Sequence, residues 1–94
     1  MAKIVIYTDR AFDDIDRIIE FNNRRNKSTT YSRKFLTSLK KRLQQLPKHP
    51  FIGRKTDEPE TLVLIWSKYY IFYEVNEATI SILAIYHQKE NVSR

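Results

Sequence analysis

The sequence predicts an α+β fold in which an antiparallel helix hairpin packs on one face of a four-stranded, mainly antiparallel sheet, in the order β-α-α-β-β-β. Three observations predict it. Residues 62–66, 70–75 and 79–86 are aliphatic and aromatic runs, joined by connections too short for anything but antiparallel hairpins. Residues 9–46 repeat their apolar positions at helical spacing, with one break after Asn26. A short alternating run at 3–7 precedes them. A meander of strands has one face to bury, and the two helices are the candidate cover.

In the first run Ile4 and Ile6 alternate with Val5 and Tyr7, which is the period of a strand. Thr8 or Asp9 then caps a helix. Ala11, Ile15, Ile18 and Asn22 lie along one stripe of it, widened by Phe12 and Ile19. Asp9, Asp13, Asp14 and Asp16 crowd its start, and Arg24 and Arg25 its end, the polarity that a helix dipole favours. Residues 26–30 break the period and offer the next cap. The second helix is expected over about 31–46. Tyr31, Phe35, Leu39, Leu43 and Leu46 form its apolar stripe, with Leu36 beside them, while Arg33, Lys34, Lys40, Lys41 and Lys48 project from the opposite side. Pro47 and Pro50 end it.

The loop that follows holds Gly53, then Arg54 and Lys55, then an acidic stretch of Asp57, Glu58, Pro59 and Glu60. Residues 62–66 are almost continuously apolar, which predicts a central strand covered on both faces. Ser67-Lys68 and Asn76-Glu77 read as the hairpin turns. Alternation places Tyr69, Ile71 and Tyr73 on one face and Tyr70, Phe72 and Glu74 on the other. One face is core. The other presents rings of the kind on which bases stack in nucleic-acid-binding sheets, although ordinary packing accounts for most of these aromatics.

Composition narrows the function. Ninety-four residues make one domain, 1–94, with a single modest core. The chain has no cysteine, so neither a disulfide framework nor a thiolate metal site is expected. His49 and His87 stand apart and Gly53 stands alone, so no zinc pattern or nucleotide-binding glycine loop is present, and no cofactor or metal is expected. No run is long and apolar enough to span a membrane, and no signal-peptide pattern opens the chain, so the simplest expectation is a cytoplasmic protein. The net charge of +6 is unevenly placed: every charged residue between Glu20 and Asp57 is basic, and outside that window acids outnumber bases. Such a field attracts polyanions or an acidic protein.

Any catalysis must therefore be acid–base chemistry. His87, where the last strand leaves the apolar core, is the first candidate for a general acid or base, with Lys89 and Arg94 near enough in sequence to stabilise an anionic transition state. Glu58 or Glu60 qualifies as a base if its loop folds back over the sheet. Arg54 is a candidate ligand for phosphate or for an acidic partner. The plainer readings are a surface histidine at a strand end, solvated loop carboxylates and an arginine flanking a glycine turn.

At this point the chain resembles the RelE/ParE toxin superfamily over nearly its full length. The resemblance is carried by the β-α-α-β-β-β order and by the Asp-rich first helix with Ile15, Ile18 and Ile19. It is carried also by the loop Pro50-Phe51-Ile52-Gly53-Arg54 and by Tyr70-Ile-Phe-Tyr73 with Val75. The closing run 80–85 followed by His87 completes it. It implies the toxin half of a type II toxin–antitoxin pair, neutralised by a cognate antitoxin that wraps a segment over it. ParE-like members poison DNA gyrase. RelE-like members cut messenger RNA in the ribosomal A site. Pro59-Glu60 and Tyr86-His87 are similar to pairs in the YoeB-like cutters, which implies Glu60 as base and His87 as acid, with Arg54 and Lys89 for charge stabilisation. An arginine common in the cutters before the Ile/Leu-x-Tyr of the middle strand is Tyr70 here. The Gly53-Arg54 loop and the Tyr70-Ile-Phe-Tyr73 strand look more like the ParE side. The resulting expectation is a ParE-like toxin that binds DNA gyrase and has no chemistry of its own. Arg54, Lys55, Arg33, Lys34, Lys40, Lys41, Tyr70 and Arg94 are its candidate binding residues. The alternatives are a ribosome-dependent mRNA endoribonuclease and a non-toxic basic binding module.

Overall fold

The computed structural model describes residues 3–26 and 29–89. Strand β1 (Ile4–Tyr7) leads into helix α1 (Asp9–Asn26) and helix α2 (Thr30–Leu43), followed by β2 (Arg54–Lys55), β3 (Thr61–Trp66), β4 (Tyr69–Val75) and β5 (Thr79–His87). The sheet has five strands in the order β1-β5-β4-β3-β2. β1 runs parallel to β5, and every other pair is antiparallel. The expected four strands thus become five. The addition is Arg54–Lys55, opposite Val63 and Leu62. Two residues are too few to show a period, so this strand leaves no alternation to detect.

Both helices lie on one face. From α1, Ala11, Ile15 and Ile18 are buried, and from α2, Phe35, Leu39 and Leu43, with Leu46 just beyond. They pack on Leu64, Tyr69, Ile71, Tyr73, Ile80, Ile82 and Ile85 of the sheet. Each large aliphatic side chain removed from water contributes about 1.5–3 kcal/mol, so this stripe-on-sheet contact holds the layers together. Ser32 adds a polar stitch between the helices, donating to Asn23 Oδ1 at 2.6 Å. Thr8 is the α1 cap: its hydroxyl oxygen accepts from the Ala11 N–H at 3.2 Å.

Three expectations are corrected. Helix α2 ends at Leu43, and the chain continues in turns through Phe51, so Leu46 is buried from a turn. Tyr31 and Phe12 are 48% and 53% exposed, the first in the opening turn of α2, the second stacked on Tyr7 at 5.5 Å. Strand β3 lies inside the sheet, between β4 and β2, but it is not covered on both faces: its outward Ile65 is 43% exposed. Its continuous apolar run therefore belongs to a sheet whose outer face the described residues of this chain leave open.

One irregularity sets the inward pattern of β5. The register shifts between Phe72 and Tyr73, which face Ala84 and Ile82, leaving Leu83 as an extra residue. An extra residue reverses the alternation. Ile80, Ile82 and Ile85 are thereby all buried, although 82 and 85 differ by an odd number.

Candidate functional site

Strand β1 stops at Tyr7, opposite Ile82, so β5 continues beyond it without a strand on that side. Helix α1 takes over the edge. Asp14 is 2% exposed, and its Oδ2 accepts from the Ile85 N–H at 3.0 Å. Arg17, one turn later, donates to the Ile85 carbonyl at 3.1 Å and to Asp14 Oδ1 at 2.7 Å. An acid and a base three residues apart on a helix thus stand in for a neighbouring strand. Arg10 closes the group: its Nε lies 3.5 Å from Asp14 Oδ1, and its guanidinium donates to the Tyr86 hydroxyl. The guanidinium carbons of Arg10 and Arg17 sit 5.5 and 5.7 Å from the Tyr86 ring centroid, within cation–π range.

Beyond this latch the end of the sheet meets α1 in a cleft of about 320 Å³. Ile18 and Tyr69 form its apolar floor, and Phe21, Arg25, His87 and Lys89 its rim, with Arg17 and Asn22 between them. His87 lies opposite Tyr69 in the register, on the helix-covered side, its ring edge-on to Tyr69 at 5.2 Å. Phe35 and Trp66 approach the same tyrosine at 5.0 and 5.7 Å. His87 Nδ1 accepts from the Lys89 N–H at 3.0 Å, which places the proton of a neutral ring on Nε2. Among the described residues, the lining contains no Asp or Glu.

The structure separates the remaining candidates. Glu60 is exposed in the turn before β3, at the end where Thr61 faces Glu74. His87 sits at the other end, where Trp66 and Tyr69 pair. The length of β3 lies between them, ~17 Å at about 3.3 Å per residue, so the loop does not bring Glu60 to His87. Arg54 is exposed on outermost β2, paired with Val63 and sharing its outer face, with Lys55 beside it. Two strands separate β2 from β5, ~14 Å across the sheet at about 4.8 Å per step. Tyr70 is half-buried on the outer face, opposite Tyr86 and Ile65. Arg33, Lys34, Lys40 and Lys41 are all exposed along α2. Arg94 falls outside the described residues.

Of the predicted site, then, His87 and Lys89 come together. Their partners Arg17 and Phe21, and Arg10 of the latch, were not singled out by the sequence, and Arg25 and Asp14 drew notice only as charges suited to the helix dipole. The available signal was helical spacing: 10, 14 and 17, and likewise 17, 21 and 25, each lie along one side of α1.

A second constellation fixes the glycine loop. The buried Tyr73 hydroxyl donates to the Pro50 carbonyl at 2.8 Å and accepts from the Gly53 N–H at 2.9 Å. Burial raises the Tyr73 pKa above its ordinary 10.0, and the Gly53 N–H partly offsets this; burial raises Tyr7 likewise. A Cβ at position 53 would lie 2.6 Å from that hydroxyl oxygen and 2.9 Å from the Val63 carbonyl oxygen, so the position demands glycine for space. Among the described residues, no three His, Cys, Asp or Glu side chains gather to hold a metal ion, and no helix is long and apolar enough to cross a membrane.

The fold has solved counterparts. A chromosomal ParDE toxin–antitoxin system from P. aeruginosa contains a chain similar to this one at 18% identity, with a TM-score of 0.78 over 92% of this chain and 96% of that one. The RelBE2 toxin–antitoxin complex from Mycobacterium tuberculosis contains another at 16% identity, with a TM-score of 0.67 over 93% and 99%. No curated protein matches the chain significantly. The family model described as the ParE toxin of the type II toxin–antitoxin system parDE matches residues 5–92. With strand order, helix layer and family model in agreement over nearly its whole length, the chain belongs to the ParE toxin family of type II toxin–antitoxin systems.

Proposed function

We propose that this chain arrests bacterial growth by binding DNA gyrase, and that a cognate antitoxin holds it silent. The single observation that carries the choice of gyrase over messenger RNA is the distance between Glu60 and His87. A general acid and a general base must both reach the reacting group, within about 3 Å or through one water. Glu60 and His87 stand at opposite ends of β3, and Arg54 is on the far edge of the sheet. Two further observations support the reading. By the resemblance to the RelE-like cutters, Tyr70 stands where they commonly carry an arginine, and family membership is on the ParE side. The exposed basic side of α2 gives the molecule a positive face for an acidic protein or a protein–DNA assembly.

The test is to incubate the purified chain with gyrase, ATP and relaxed plasmid, and in parallel to map 5′ ends on a ribosome-bound message. The expected outcome is blocked supercoiling with intact message. Codon-phased cuts that disappear with His87→Ala would replace gyrase with the ribosome as target.

A further inference from the structure

The outer side of α2 presents one kind of chemistry. Between residues 33 and 41 its exposed positions are four cations, Arg33, Lys34, Lys40 and Lys41, and two hydroxyls, Thr37 and Ser38. Among the described residues, none of the four cations makes an ion pair or a side-chain hydrogen bond. The buried residues Ser32, Phe35, Leu39 and Leu43 occupy the opposite side. These charges do not serve the helix. Its dipole favours acids in the first turn, which holds none, and Arg33 and Lys34 stand there instead. No carboxylate lies three or four residues from any of the four, so no pairing along the helix supports them. A face that only keeps a protein in solution mixes both signs, and this one does not.

We infer that this stripe of α2 grips duplex DNA by its phosphates, and that the duplex is the one gyrase holds. The second clause rests on the gyrase reading; the first rests on the stripe alone. Lys40 and Lys41 follow Arg33 and Lys34 by seven residues, ~10.5 Å along the helix axis at about 1.5 Å per residue. The major groove of duplex DNA is about 12 Å wide, so the two pairs reach phosphates on its two walls. Thr37 and Ser38, between the pairs, donate to further phosphate oxygens. A protein partner fits less well, because a protein interface is anchored by buried apolar or aromatic groups and the stripe offers none. A single strand fits less well too, since its bases stack on rings and the stripe has no ring. With no Asn, Gln or aromatic side chain among these six positions, the grip reads charge and spacing and not sequence.

The experiment is fluorescence anisotropy of a labelled 20-base-pair duplex titrated with the full chain over a range of salt concentrations. Four proteins are compared: wild type, Arg33→Gln/Lys34→Gln, Lys40→Gln/Lys41→Gln, and a control, Lys3→Gln/Lys68→Gln, with the same change in net charge on the sheet layer. Circular dichroism melts confirm that each is folded. Four phosphate contacts give a slope of about −3.6 in log K against log salt, and either stripe variant should lose about half of it. At low salt each stripe variant should bind at least ~10-fold more weakly than wild type, and the control should keep the wild-type slope. A wild type that does not bind the duplex overturns the inference. Equal losses in stripe variants and control overturn it as well, because net charge and not the stripe would then be acting. Tighter binding to a single strand of the same length, or to an RNA duplex, overturns it in favour of that ligand. The same four proteins in the supercoiling assay separate this inference from the choice of target. If wild type grips the duplex through the stripe and supercoiling proceeds, gyrase fails as the target and the DNA surface stands. If stripe variants that no longer grip DNA still block supercoiling as wild type does, gyrase stands and the role of the stripe there is overturned.

Discussion

Asp14 and Ile85 are joined by one hydrogen bond, and two arginines converge on the same carboxylate. Alanine at 14 would leave the Ile85 N–H unpaired at the sheet edge and remove the charge that holds Arg10 and Arg17 over Tyr86. A hydrogen bond to a charged group is worth about 1.5–3 kcal/mol, so Asp14→Ala should lower unfolding stability by ~3 kcal/mol in a denaturant titration. Asp14→Asn retains an acceptor for Ile85 and should lose less. At the glycine loop, Tyr73→Phe removes the donor to Pro50 and the acceptor of Gly53, costing ~1–3 kcal/mol. Gly53→Ala forces its Cβ against the Tyr73 hydroxyl and should cost a similar ~1–3 kcal/mol. Combined, the two should cost less than their sum, because deleting the hydroxyl relieves part of the clash; Val63 still crowds the site. Equilibrium melts of the two single variants and the double variant decide this.

Among the elements, the β3–β4 hairpin contains the one described non-glycine residue with positive φ, Ser67 at 55°. A side chain in the left-handed region costs about 1–2 kcal/mol, so Ser67→Gly should raise the melting temperature, with a gain of ~1 kcal/mol. The turn itself was legible, because Ser67-Lys68 interrupts two apolar runs. So were both helices, the sharing of one face by Tyr69, Ile71 and Tyr73, and the basic face of α2, since each follows a period of 2 or 3.6; which sheet face is core came only with the packing. Three features do not. β2 is two residues long, the bulge at Leu83 is one residue out of step, and the end of α2 at Leu43 is followed by turns that keep Leu46 inside. The cleft was half legible for a related reason. His87 and Lys89 draw notice as chemistry at a strand end, but their facing residues lie some seventy positions earlier, and pairing them requires the packing of α1 on β5. Glu60 was a candidate for the same pocket because proximity in a sheet depends on strand direction, which fixes it at the opposite end.

Across the whole molecule, the helix layer and the outer face of the sheet present different surfaces. The exposed cations of α2 lie on one outer surface, while Ile4, Ile6 and Ile65, at 67%, 45% and 43% exposure, mark the uncovered face of the sheet on the other. Stability should depend on alkaline pH through one buried and one half-buried phenol. Burial raises the pKa of Tyr7 and of Tyr73, so their neutral forms are favoured in the folded state. The resulting stabilisation is fully present below the ordinary value of 10.0 and is lost as pH rises through it toward the folded-state values. Melting temperatures from pH 8 to 11 should fall above pH 10, and Tyr73→Phe should shallow that fall. The parallel pairing of β1 with β5 carries a last consequence, for the order of events during translation. The opening strand of the chain waits for its partner at Thr79–Ile82. Until residues 79–87 have left the ribosome, α1 and α2 have no complete sheet to cover, and Asp14 has no Ile85 to hold. A chain that stops short of β5 therefore lacks the strand on which both β1 and the helix layer depend, so folding waits for its last element.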